Sequence, residues 1–108
     1  MEEKIILLPV SNDTNSLLGF TDGEAMYSEI KGSLDYSKKN VFEIPEHVKV
    51  VNTHFFKGFL REIILNLKSN MKVINIEELN RFLEIKTANN QTEASYNRAI
   101  AQVFSDVY

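Results

Sequence analysis

The chain is 108 residues long, 44% hydrophobic and 25% charged, which suits one small domain with its own core. It has no cysteine and a formal net charge of −3, which excludes disulfides and thiolate metal sites and argues against the basic face of a duplex-binding protein. The opening MEEKIILLPV lacks a basic leader and its apolar run is too short for a signal peptide or for the ~20 residues of a membrane helix. The expectation is therefore a soluble, cytoplasmic protein that engages neither nucleic acid nor membrane.

In chain order, KIILLPV (Lys4 to Val10) reads as a short strand, placed at a sheet edge by Pro9, which cannot donate to a ladder. SNDTNSLLGF follows as a polar loop ending in the apolar knot Leu17, Leu18 and Phe20. In TDGEAMYSEIKGSLDY, Met26, Ile30 and Leu34 recur at helical spacing. Thr21 and Glu24 have the spacing of a capping box, in which each side chain satisfies an amide at the other's end. NVFEIPEHVKVVN holds two β-branched pieces, Val41 to Ile44 and Val48 to Val51. We read them as one central strand that loosens around Pro45 to His47.

The strand passes without a loop into the longest helix, Thr53 to about Ser69. Phe55/Phe56, Phe59/Leu60, Ile63/Ile64 and Leu67 give it a wide apolar face, the mark of a deeply packed helix. MKVIN is ambiguous and is compatible with a strand. Asn75 and Glu78 have cap spacing for a short helix, and RFLEIKT reads as a further strand. TEASYNRAIAQVFSDVY is a last helix running to Tyr108, with Tyr96, Ala99, Ile100, Val103 and Phe104 on one face. The order implies an α/β fold: a small mixed sheet of about four strands, helices packed on it, in a single domain spanning 1–108.

No catalytic or metal-binding constellation is legible. There is no Ser-His-Asp or Cys-His pattern, no P-loop and no Gly-rich dinucleotide turn. His47 and His54 have no acidic cluster around them, so no metal and no cofactor is expected. The corner Asn52, Thr53, His54 is the candidate site, because a helix start offers free amides and the positive end of a dipole. The plainer reading of Thr53 is a helix N-cap, a role for which Asn52 competes. Phe55, Phe56 and Phe59 could form a base-stacking platform, but at helical spacing within an apolar run they read as core.

The same stretches resemble the STAS-like family, bacterial and phage domains related to anti-sigma-factor antagonists. THFFKGFLREI (Thr53 to Ile63) matches that family's Ser-Ser-Phe corner and hydrophobic helix, with Thr53 and His54 in the serine positions and Phe55 as the phenylalanine. LNRFLEIKTANN (Leu79 to Asn90) matches its return strand and loop, and TDGEAMYSEIKGSL (Thr21 to Leu34) its first helix. Two features depart from it. Gly19 is followed by Phe20 and Thr21 where many members carry Gly-x-Arg, and the phosphorylatable serine is replaced, leaving Thr53 as the corner's hydroxyl.

The resemblance implies a STAS-like fold and a non-enzymatic regulatory module. Such a module would bind a partner protein, an ATPase of the histidine-kinase type or an anti-sigma-like factor. Its surface would be Asn52, Thr53 and His54, the corner and candidate phosphorylation site, with Leu17, Leu18 and Phe20 as apolar anchors. The alternative is a homo-oligomeric or phage-encoded protein that blocks a host factor without a phospho-switch, using the apolar loop or the exposed edge strand. A small enzyme or nucleotide binder using the helix start as an anion site is the third reading.

Overall fold

The structure, a computed structural model, describes residues 2–107; the expected end of the last helix at Tyr108 lies outside them. Among these residues five strands and four helices follow in order: β1 Glu3–Leu7, β2 Ser16–Leu17, α1 Phe20–Ile30, β3 Lys39–Glu43, β4 Val50–Val51, α2 Thr53–Asn70, α3 Ile76–Leu79, β5 Leu83–Lys86 and α4 Asn90–Val107. A 3-10 turn, Lys31–Ser33, follows α1.

The strands form two sheets, one of three strands in the order β1-β3-β5 and one of two, β2-β4. Every pairing is parallel. This replaces the single mixed sheet of about four strands expected from the sequence. The central strand expected to run from Val41 to Val51 is likewise divided: β3 and β4 lie in different sheets. The cause is local. Val48 N–H returns to the Pro45 carbonyl at 3.0 Å, closing a turn where proline had already removed a ladder donor. MKVIN forms no strand.

Register assigns each residue of the three-stranded sheet to a face. Ile6, Phe42 and Ile85 are aligned, as are Lys4, Asn40 and Leu83. This is the face the helices cover: Phe42 meets Phe59 of α2 edge to face, with ring centroids 4.9 Å apart. α2 is the axis of the helical layer, flanked by α1 and α4, and its Phe55, Phe56, Phe59, Leu60, Ile63, Ile64 and Leu67 are all buried. The core reading of the phenylalanines therefore agrees with the structure.

The α1–α2 contact is close enough to require glycine on both sides. A β-carbon on Gly58 would stand 2.0 Å from the Phe20 carbonyl oxygen, and one on Gly23 2.0 Å from that of Phe55. Each helix thus lays a glycine against the other's backbone. At the end of the sheet where β3 begins, the buried Asn40 is satisfied on both sides of its amide. Its Oδ1 accepts from Asp35 N–H at 3.0 Å, and its Nδ2 donates to the Asp35 carbonyl at 3.0 Å. This locks the turn before β3.

Candidate functional site

β2 and β4 run side by side and each ends at the start of a helix, β2 at α1 and β4 at α2. One side chain ties the two starts together. Asn52 is the N-cap of α2, and its Oδ1 accepts from Phe55 N–H at 2.9 Å. The same oxygen lies 3.4 Å from Gly19 N, at the cap of α1. The backbone N–H of Asn52 donates to the Leu17 carbonyl at 3.2 Å. Asn52 therefore takes the capping role for which Thr53 also qualified, and Thr53 is the first residue of the helix.

α1 begins differently from the expected capping box. Its cap is Gly19, at φ 99°, and no side chain caps it. Thr21 is already inside the helix, so Thr21 and Glu24 cannot pair across its end. Gly19 is held by conformation rather than by space: nothing lies within 4 Å of where its β-carbon would be, yet its φ lies in the region that favours glycine.

The predicted anchors separate. Leu17 turns into the core, 8% exposed, whereas Leu18 and Phe20 are 47% and 39% exposed. Leu17 is thus corrected from a surface anchor to a core residue, because its place in β2 opposite Val51 directs it inward. His54 is exposed, and Asn52 and Thr53 are half-buried. The corner thus presents Leu18, Phe20, Thr53 and His54 around the capped start of α2.

Sequence reading missed one partner. Arg98, in α4, donates from Nη1 to Thr53 Oγ1 at 3.1 Å across 45 residues of sequence. No spacing rule reaches that far; only the packing of α4 on α2 brings the guanidinium to the corner. A guanidinium cannot accept a proton, so Arg98 is no general base for the threonine hydroxyl. It can hold an oxygen or a negative charge placed there.

A second concavity was also not anticipated. A cleft of about 390 Å³ opens beyond the carboxyl ends of β3 and β5, between Pro45, Val48 and Lys49 on one side and Thr87 and Asn89 on the other. Parallel sheets commonly bind ligands at this end. Here the loops brace each other: Asn89 Nδ2 donates to the Lys49 carbonyl at 2.9 Å, and its Oδ1 caps α4 through Gln91 N–H and Thr92 N–H. Among the described residues, no group of three His, Asp or Glu is placed to hold a metal, and no helix is long and apolar enough to cross a membrane.

A scan against protein-family models, a search of curated proteins and a search of solved structures each return no match to this chain.

Proposed function

We propose that this chain is a STAS-like, non-enzymatic interaction module that docks a partner protein through the corner at the start of α2. The observation that carries the reading is Asn52, whose one oxygen serves Phe55 N–H and Gly19 N–H together. It ties the backbone of the polar corner to that of the apolar Leu18–Phe20 step, which lowers the backbone ordering cost of binding a partner there. Leu18 and Phe20 contribute apolar contact, and Thr53, His54 and Arg98 the polar rim. The resemblance of THFFKGFLREI to the STAS-like corner suggests the partner class, an ATPase of the histidine-kinase type or an anti-sigma-like factor. Addition of a phosphate to Thr53 would put two negative charges beside Arg98 and at a helix N-terminus, where both are stabilised.

The test is affinity capture from the native host with the wild-type chain and with Thr53→Glu and Leu18→Ser variants. An ATPase of that class or an anti-sigma-like factor should be retained by the wild type, and both variants should lose it by at least tenfold. Asn52 still caps α2 in each variant, so thermal melts should stay close to wild type. Recovery of neither an ATPase of that type nor an anti-sigma-like factor, or equal retention by all three chains, would sink the reading.

A further inference from the structure

We propose that the free edge of β1 pairs with β1 of a second copy, antiparallel and across a two-fold axis, to join two three-stranded sheets into one of six.

The backbone bonds define the edge. Glu2 carbonyl accepts from Lys39 N–H at 2.9 Å, and Leu8 N–H donates to the Glu43 carbonyl at 3.0 Å, both toward β3. In a parallel ladder the even residues of β1 between them point the same way, so Glu3, Ile5 and Leu7 turn both N–H and C=O outward. Among the described residues β1 pairs with β3 alone and ends the sheet. No hydrogen bond to the outward groups of Glu3, Ile5 or Leu7 is present among the described residues.

Those same residues carry the exposed apolar surface. Ile5 and Leu7 are 50% and 59% exposed, while Ile6 between them is 6% exposed. Their side chains lie on the face opposite Ile6, next to Val41, where no helix packs among the described residues. Parallel sheets are normally covered on both faces. Edge strands are normally blunted by charge, proline or a bulge; here the two outward residues before Pro9 are aliphatic.

The strand also fits a copy of itself. Outward residues must face outward residues, so an antiparallel pair places Ile5 opposite Glu3, Ile5 or Leu7 of the copy. With Ile5 opposite Leu7, the four exposed aliphatic side chains of the two copies lie together on one face, and Ile6 meets Ile6 on the other. Lys4 then lies opposite Leu8. The register two steps back, with Ile5 opposite Glu3, would set Lys4 against Lys4, and like charges directly opposite are unfavourable. Pro9 ends the pairing, since it has no N–H to offer. An unrelated strand would need the same alternation to cover the same surface; a second copy has it by identity.

This edge shares no residue with the corner at α2, so the two proposals fail separately. The experiment is sedimentation equilibrium of the full chain over a concentration series, with amide exchange of Glu3, Ile5 and Leu7 followed in the same samples. The wild type should move from one to two chain masses as concentration rises, and the Ile5 and Leu7 amides should become protected only in the dimer. Ile5→Lys and Leu7→Lys should each stay at one chain mass with unchanged thermal melts. Ile5→Pro, which removes an outward donor and leaves the bonds to β3, should do the same, and Leu18→Ser should dimerise like wild type. A wild type that stays monomeric, or Lys variants that still dimerise, would overturn the proposal. So would protection of the Ile5 and Leu7 amides only on adding another protein, since the edge would then belong to a partner's strand.

Discussion

Ile5 and Ile6 are the same residue type, adjacent in one strand, with opposite fates. Ile6 points to the face where α1, α2 and α4 pack and is 6% exposed; Ile5 points to the bare face and is 50% exposed. The two faces differ most along β1; on the central strand Val41, which belongs to the open face, is only 2% exposed. The covered one carries Ile6, Phe42 and Leu83 beneath a phenylalanine cluster. The open one carries Ile5, Leu7 and Val41 beside two ion pairs, Lys39–Glu84 at 2.8 Å and Lys86–Glu43 at 3.7 Å. Full burial of an aliphatic side chain is worth about 1.5–3 kcal/mol. The covered face therefore holds the fold together, and the open face leaves apolar area available for association.

The largest expected break in this contrast is Phe59→Ala. Phe59 is fully buried, edge to face with Phe42 and stacked with Phe55 at 6.2 Å. Truncation removes both ring contacts and leaves a cavity, a loss of roughly 3–5 kcal/mol, against a total of about 5–15 kcal/mol for a typical domain. Its counterpart on the open face, Leu7→Ala, should cost less than about 0.5 kcal/mol in the monomer. Urea unfolding at a concentration where the chain is monomeric measures both. Equal losses would mean that the open face is not open.

Gly58→Ala ranks next. Alanine raises helix propensity by about 1 kcal/mol, but its methyl would meet the Phe20 carbonyl oxygen at 2.0 Å and the carbonyl carbon at 2.9 Å. Both are backbone atoms, so α1 must move as a body. Overpacking of this kind costs roughly 1–3 kcal/mol, and the net should be a loss. Gly32→Ala is the control: nothing lies within 4 Å of its β-carbon position, so its substitution should be neutral or slightly stabilising. A thermal melt that ranks the two alike would contradict the close approach of α1 and α2.

The covered face was legible in the sequence because helical spacing is long and redundant. Phe55 through Leu67 define α2 almost to the residue, and Asn75 caps α3 through Glu78 N–H at 2.8 Å as its spacing implied. Short strands carry no such redundancy. In KIILL every residue after Lys4 is aliphatic, so alternation cannot reveal which side is covered; the helices decide that, from residues far away. The separation of β3 from β4 turned on the bend at Pro45, and the start of α1 on the positive φ of Gly19, each a single residue outweighing a pattern. At the candidate site the polar corner was visible as NTH. The inward turn of Leu17 and the approach of Arg98 were not, because both depend on pairings across the fold.

The smallest expected effect lies at the seam between the layers. Tyr96 of α4 packs its ring edge to face on Phe56, centroids 5.4 Å apart, and is 3% exposed. Its hydroxyl finds no hydrogen-bond partner among the described residues. Burial, and secondarily the Glu84 carboxylate, push this phenol above its ordinary value of 10.0. The unfolded chain therefore sheds this proton at lower pH than the folded one. The contribution of Tyr96 to stability is complete below about pH 10 and is lost as pH rises beyond it. Tyr96→Phe keeps the ring and removes both the unpaired hydroxyl and this titration. At neutral pH it should change stability by less than about 0.5 kcal/mol, or raise it slightly, because no hydrogen bond is lost. Above pH 10 the variant should outlast the wild type. The gap stays incomplete, because Tyr36 is also raised by burial and still titrates. Denaturant unfolding at pH 7 and pH 11 reads both effects, and a loss above about 1 kcal/mol at pH 7 would mean that the hydroxyl is bonded after all.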